Sequence, residues 1–547
     1  MAFANGVVLY EEVSVWHKNV ASETMSEPVP SNWSEVEAWA WERITAGRAA
    51  DLRRYPGKSD QESMPVLSVA FVRDLLSREA LSKRLPSQGV QIVGARFTES
   101  FDLSYTSVDR LLVFAFCRFD EGMVLLSFRS TKDLSLIGSQ VSGDIELEGS
   151  RIDGLLAFGN VSAANITMRR AKIGGQADLN DVICSGSMLL EGLQVDGQLN
   201  LRGSSAQSVL LHGARLARLD MTSFDCQGLV SLDDLQVTTQ LTLGAEALVA
   251  HADSTQQPGF MPMDDVHARD LPCEATAPSR FGSLSIVAAR VGSNIDLTGA
   301  RIAERLTLDS SRIGGHLFLR YATMKSLDLY STNVGSTIDL RFADVHRSLD
   351  LRQASSMYFL DHGFDWPSGL QLDGFQYQQL VRTVASRPVK WFRQWLSKQE
   401  SYTPQPYHKL AQVLVAAGDR EKAESILYAG RNREMAQAGW RRRVWLLLLW
   451  GTIGYGFKIH RALIWVVAFT AIGVWVLGHS DVAGLGPSLV DRTFYTLDAL
   501  LPIISLDKVH DAVRVGGEGK YYFYFLRVAG WVLGSFLVAG LAGFTKK

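Results

Sequence analysis

The chain of 547 residues has little from which to build a covalent or metal framework. It holds four cysteines, Cys117, Cys184, Cys226 and Cys273, and no two lie close enough in sequence for a zinc site or a disulfide scaffold. They read as reduced thiols in a cytosolic compartment. Charge of one sign is missing as well, because 55 Lys and Arg stand against 57 Asp and Glu for a net charge of -2. That balance gives no reason to expect a polyanionic partner, and no nucleic acid is expected. The N-terminus, MAFANGVVLYEEVSVW, lacks a basic residue before its apolar run and a small-residue cleavage site after it, so no secretory signal is expected. There is no GxGxxG on a strand-to-helix turn, no CxxC and no haem-attachment motif. The sequence therefore offers no catalytic, cofactor-binding or metal-binding residue, and no cofactor is expected.

What it does contain is a repeat. In the stretch from Val291 to Leu351 three apolar columns recur, the third being Leu297, Leu308, Leu319, Leu329, Leu340 and Leu351, at steps of 10 or 11 residues. The same column continues upstream through Leu147, Phe158, Met168, Leu179, Leu190 and Leu201. Within a unit the apolar residues sit at i, i+4 and i+6, and the last two alternate with polar residues, which is strand periodicity. Gly, Ala, Ser and Asn gather where a chain must turn. A strand and a corner every 10 or 11 residues predict a mainly β chain, a right-handed parallel β-helix in which two units make one coil. Residues 91–362 then give about 11 coils and a rod of about 50 Å, at about 4.8 Å per strand step.

Flanking segments complete the rod. Residues 1–30 read as a flexible N-terminus and 31–90 as a helical cap, with Ser34 as N-cap and Gly47 as stop for the first helix. The insertion 251–280 breaks the register; it collects His251, Asp253, Asp264, Asp265, His267, Asp270 and Cys273 at spacings that fit no metal motif, and reads as a solvated loop. Residues 363–438 read as a Trp-rich linker and a tetratricopeptide-like hairpin, built on Leu410, Ala411, Leu414, Ala423 and Leu427 around a Gly418-Asp419 turn.

Residues 439–547 change character. Arg441, Arg442 and Arg443 precede an apolar stretch that is cut by Lys458, His460 and Arg461. Residues 441–457 predict a helix lying in a membrane interface, and 462–478 and 521–544 predict two transmembrane helices. Basic residues crowd both ends of this region and acids the loop 479–520, so both termini are expected in the cytosol and the lipid bilayer is an expected partner. Residues 452–456, TIGYG, resemble the potassium-channel filter TVGYG. They lie before the first span and on its cytosolic side, so they read instead as a flexible hinge at Gly454 and Gly456. The place of a pore loop is taken by 491–507, which reads either as a re-entrant segment or as an amphipathic helix on the outer surface. Asp498, Ser505, Asp507 and Arg527 are then the polar groups able to face water in a membrane, with Asp498 or Asp507 as partner for Arg527. Gly530 and Gly534 form a GxxxG that permits helix association and a homo-oligomer.

The repeat resembles the quadrilateral β-helices of pentapeptide-repeat proteins and bactofilins, although the strict five-residue motif is absent. The order of β-helix, PYHKLAQVL hairpin, arginines, GYG and terminal hairpin resembles a bacterial membrane protein family often labelled membrane-associated oxidoreductase. The resemblance implies the bacterial inner membrane. Three functions follow as expectations: a non-enzymatic anchored scaffold or binding and sensing protein whose β-helix takes a protein or small-molecule partner; an oligomeric ion channel or membrane effector; and the oxidoreductase of the label.

Overall fold

The computed structural model describes residues 30–245 and 277–541, apart from short gaps at 31, 58–63, 362–365, 381, 459, 487 and 502–512. The core of the insertion therefore lies outside the described residues, as do Ser505, Asp507 and Cys273. The repeat forms a parallel β-solenoid of about 12 turns. Each coil has four short strands. In the coil that starts at Arg290 these are Arg290–Val291, Ile295–Asp296, Arg301–Ile302 and Leu306–Thr307, the last two running on as one strand. The first two faces belong to a sheet of 22 strands and the last two to one of 18.

The alternation that marked strands in the sequence places Val291, Ile295, Leu297, Ile302, Leu306 and Leu308 inside, each at most 3% exposed. Coils stack in register, Ile295 on Leu317 and Leu317 on Ile338, so one aliphatic column covers the next. Backbone groups bond between coils, as from Ile295 N to His316 O at 2.9 Å and from Arg312 N to Ala289 O at 2.9 Å. The two sheets meet at corners where one residue adopts a left-handed backbone. Asn160, Ser310, Tyr321 and Phe342 do so with φ of 56°, 57°, 57° and 58°, and Gly138, Gly149 and Gly299 serve elsewhere. The side chain after such a corner is often a buried hydroxyl that ties coils together. Ser204 Oγ accepts from Val182 N at 2.9 Å and donates to Leu179 O at 2.6 Å.

Both ends are closed. Helices α1 (Glu35–Thr45), α2 (Val69–Ser77) and α3 (Glu79–Ser82) cover the first coil. Ser34 caps α1 in a reciprocal box with Glu37. The cap also contributes a strand, Ala50–Asp51, that pairs in parallel with Ile92–Val93 and blocks the open edge. At the other end the solenoid runs past residue 362: Gln376–Leu380 pairs with Ser355–Phe359. This final strand lacks the aliphatic columns, which is why the sequence places the boundary too early. Helices α4 (Arg382–Ala385) and α5 (Val389–Ser397) follow. The Trp-rich segment is thus a second cap, with Trp395 stacked on Phe359 at 6.4 Å between centroids and Arg387 paired with the buried Asp361.

Helices α6 (Pro404–Ala416) and α7 (Arg420–Gln437) form the expected hairpin, turning at Gly418 with φ of 89°. One continuous hydrophobic core runs from Ala40 in α1 to Ile426 in α7. Beyond it lie α8 (Trp440–Ile453), α9 (His460–Gly478), α10 (Leu489–Leu500) and α11 (Gly519–Leu541). Among the described residues one helix, α9, is long and apolar enough to cross a membrane. Where the sequence predicts the second span the chain forms the helix α11, which carries Lys520 and Arg527 and does not meet that measure among the described residues.

Candidate functional site

The sequence places its polar candidates in the last three helices, and the structure brings these together around α10. At its start Arg492 lies beside Gly478, the last residue of α9. One turn on, Thr496 fills the space left by Gly473, where a methyl group would strike its side chain. Tyr495 meets Phe523 of α11 at 5.3 Å. Leu500, at the end of α10, lies against Gly530, where a methyl group would collide with the Leu500 carbonyl. Gly530 lies about 16 Å along α11 from its first residue, from the 1.5 Å helical rise. Helix α10 therefore enters between α9 and α11 at one end and stops near the middle of α11. The chain then regains its starting end, because Arg514–Val515 pairs in antiparallel fashion with Val482–Ala483.

Of the candidate residues, Asp498 is half-buried on α10 and Arg527 is exposed on α11. No ion pair joins these two to one another among the described residues. The glycines of GxxxG differ. Gly530 is buried against Leu500, while nothing approaches Gly534 within 4 Å. The outer faces of α9 and α11 carry Val467, Trp475, Val528 and Trp531, all at least 60% exposed.

The GYG segment is a packed corner and not the open hinge expected. Gly454, Tyr455 and Gly456 are all left-handed, with φ of 55°, 58° and 84°. Tyr455 is 1% exposed. Its ring meets Tyr428 of α7 at 5.6 Å, and its hydroxyl donates to Met435 Sδ at 3.4 Å. A bulky residue in this conformation costs about 1–2 kcal/mol, which the packing offsets.

A second site escaped the sequence reading. A groove of about 690 Å³ runs across the first face of the solenoid from Gln194 to Asn333. Arg215, Gln236, Arg290, Arg312 and Asn333 occupy one register position on successive coils along it. The signal was in the sequence: Arg290 and Arg312 each precede a first-column aliphatic residue. Reading units of 10 or 11 residues interleaved them with Arg301, which lies in the other sheet.

Cys117, Cys184 and Cys226 are buried in the solenoid wall, and burial pushes the Cys117 thiol up to about 12. Compared with family models, with curated proteins and with solved structures, the chain matches none.

Proposed function

We propose that the chain is a bacterial inner-membrane protein in which α9, α10 and α11 form one subunit of an oligomeric ion pore, with the solenoid as its cytosolic binding domain. The observation that carries this reading is the placement of α10, which reaches between the two long helices to Gly530, while Val482–Ala483 before it and Arg514–Val515 after it pair with one another. A segment that enters a membrane without crossing it is tolerated where protein or a water-filled cavity surrounds it. In this reading α11 is the second crossing, lipid covers Val467, Trp475, Val528 and Trp531, and Arg527 snorkels or faces the pore. One re-entrant segment cannot enclose a pore, so subunits assemble.

Reconstituted full-length protein is expected to conduct ions, with Asp498→Asn or Arg527→Gln changing conductance or selectivity and Tyr455→Phe leaving selectivity alone. A detergent-solubilised monomer that passes no current in bilayers would leave an anchored binding rod, the simpler reading. Orientation has its own test. In a background lacking the native cysteines, Ser480→Cys or Gly517→Cys reacts with an impermeant reagent outside intact cells, and Ser425→Cys does not. A flavin or haem absorbance band in the purified protein would instead restore the oxidoreductase label.

A further inference from the structure

The arginines that line the groove lack the carboxylate neighbour that neutralises several other arginines of the rod. Upstream in the same register row, Arg151 has Asp153 two residues beyond it and pairs with it at 2.8 Å. Asp339 and Asp350 likewise neutralise Arg341 and Arg352 at 2.8 and 2.6 Å. Along the groove the position two residues after Arg215, Arg290 and Arg312 is held by Ala217, Gly292 and Gly314. The three guanidinium groups are exposed, and none makes an ion pair or a side-chain hydrogen bond among the described residues. Among the described residues the single carboxylate lining the groove, Asp196, is at its N-terminal end.

The floor is flat for a structural reason. A methyl group at Gly292, Gly314 or Gly335 would strike a carbonyl of the coil before it, so these three bends admit no side chain, while Ala217 and Thr238 put small ones at the same position on earlier coils. The result is a trough about two residues, or roughly 7 Å, wide, with donors repeating at about 4.8 Å per coil. Arg215, Gln236, Arg290 and Arg312 then span about 14 Å, at that same step.

We propose that this groove binds a linear phosphate polymer, an inorganic polyphosphate chain laid along the solenoid axis. Guanidinium groups grip phosphate oxygens through paired hydrogen bonds, and the carboxamides of Gln236 and Asn333 add neutral donors between and beyond them. The lining discriminates against other thin polyanions. Among the described residues no aromatic ring lines the trough, so a single-stranded nucleic acid has nothing there on which to stack its bases. The aliphatic residues Leu216, Val237, Val291 and Ile313 point into the core, so an acidic peptide finds no pocket for its side chains. A chain with a charge on every unit and no side groups needs neither. The near-zero net charge of the whole protein does not oppose this, because binding responds to the local field.

The test is fluorescence anisotropy of end-labelled inorganic polyphosphate with the purified full-length protein, across a salt series. Removing Arg290 and Arg312 together by Arg→Ala substitution is expected to weaken binding by about tenfold for each guanidinium lost and to flatten the salt dependence. Gln236→Arg closes the gap in the row and is expected to tighten binding severalfold, a gain that misfolding cannot imitate. Arg347→Ala, in the other sheet, leaves affinity unchanged. No binding by the unaltered protein, or equal binding by the double variant, overturns the site. Equally tight binding of a single-stranded oligonucleotide or of polyglutamate, lost with the same two arginines, overturns the phosphate-chain assignment.

Discussion

The solenoid and the C-terminal helices bury their apolar residues by opposite logics. In the solenoid every coil covers its neighbours, the ends are closed by α1–α3 and α5, and a single core extends from Ala40 to Ile426. Its backbone groups are bonded coil to coil and its buried serines bridge carbonyls. Among the described residues the last four helices make two small clusters, one around Leu449 and Tyr455, the other around Tyr495 and Leu526. Their largest apolar side chains point outward. The first region is complete within its own chain, and the second needs a surrounding phase to finish it, which is what a lipid solvent or a second subunit provides.

The largest expected effect sharpens that contrast. Leu317→Asp puts a charge into a dry stack where Leu317 is fully buried. It is expected to destabilise the protein by about 4 kcal/mol or more, read by denaturant unfolding. Val467→Asp, on the outer face of α9, should leave the solenoid's unfolding midpoint unchanged. It should instead impair membrane insertion, at a cost of about 3 kcal/mol. Equal loss of solenoid stability in both variants would break the comparison.

Next comes packing inside the helical unit. Gly530→Ala is expected to cost about 1–3 kcal/mol by forcing α11 away from Leu500. Gly534→Ala, facing open space, should stay within about 0.5 kcal/mol. Thermal unfolding in detergent separates them, and the reverse order would mean that the glycines serve association between subunits.

The N-terminal cap adds a pH test. Burial works against the charge on Glu37, but hydrogen bonds from Ser68 and Ser34 outweigh it and hold the carboxyl below its usual range. A depressed folded value contributes stability that is present above the ordinary carboxylate pKa and lost as pH falls through the folded one. Denaturant midpoints should therefore fall on acidification below about pH 4, the ordinary carboxylate range. Glu37→Gln should cost about 1–2 kcal/mol at neutral pH and flatten that acid limb.

The smallest pair has opposite signs. Gly213 has φ of 66° and nothing within 4 Å of an added methyl group, so Gly213→Ala tests the backbone alone. A loss of about 1 kcal/mol is expected. Gly451 sits in α8, also facing open space. Gly451→Ala should stabilise by about 0.5–1 kcal/mol. Calorimetry of both variants checks the signs.

Much of this fold is readable from residue types because the solenoid is a nearest-neighbour structure. Each aliphatic column of the sequence becomes two columns in space, one per sheet, and Leu297, Leu308 and Leu319 fall inside as their spacing requires. Reading fails where contacts are not periodic. Gln376–Leu380 joins the sheet without the repeat, and Trp395 caps a coil distant in sequence. The descent of α10 depends on which residues face Gly473 and Gly530, which no local pattern records. The groove was hidden for a different reason: a half-coil repeat describes the inside, identical for both sheets, whereas function on the outside follows the whole coil.

That distinction gives the rod a parity. Left-handed corners such as Gly299 and Ser310 hand the chain from one sheet to the other every half coil, so successive repeat units face opposite ways. Lengthening or shortening the rod by an even number of units leaves every downstream surface where it was. An odd number turns it by half a revolution, moving Arg312 to the far side and reversing the C-terminal helices relative to the N-terminal cap. The stretch between Thr242 and Arg280 respects this rule, since the strand before it lies in one sheet and the strand after it in the other. Heritable changes in the length of such a chain are accordingly constrained to come in pairs of units, or to be looped out at a corner.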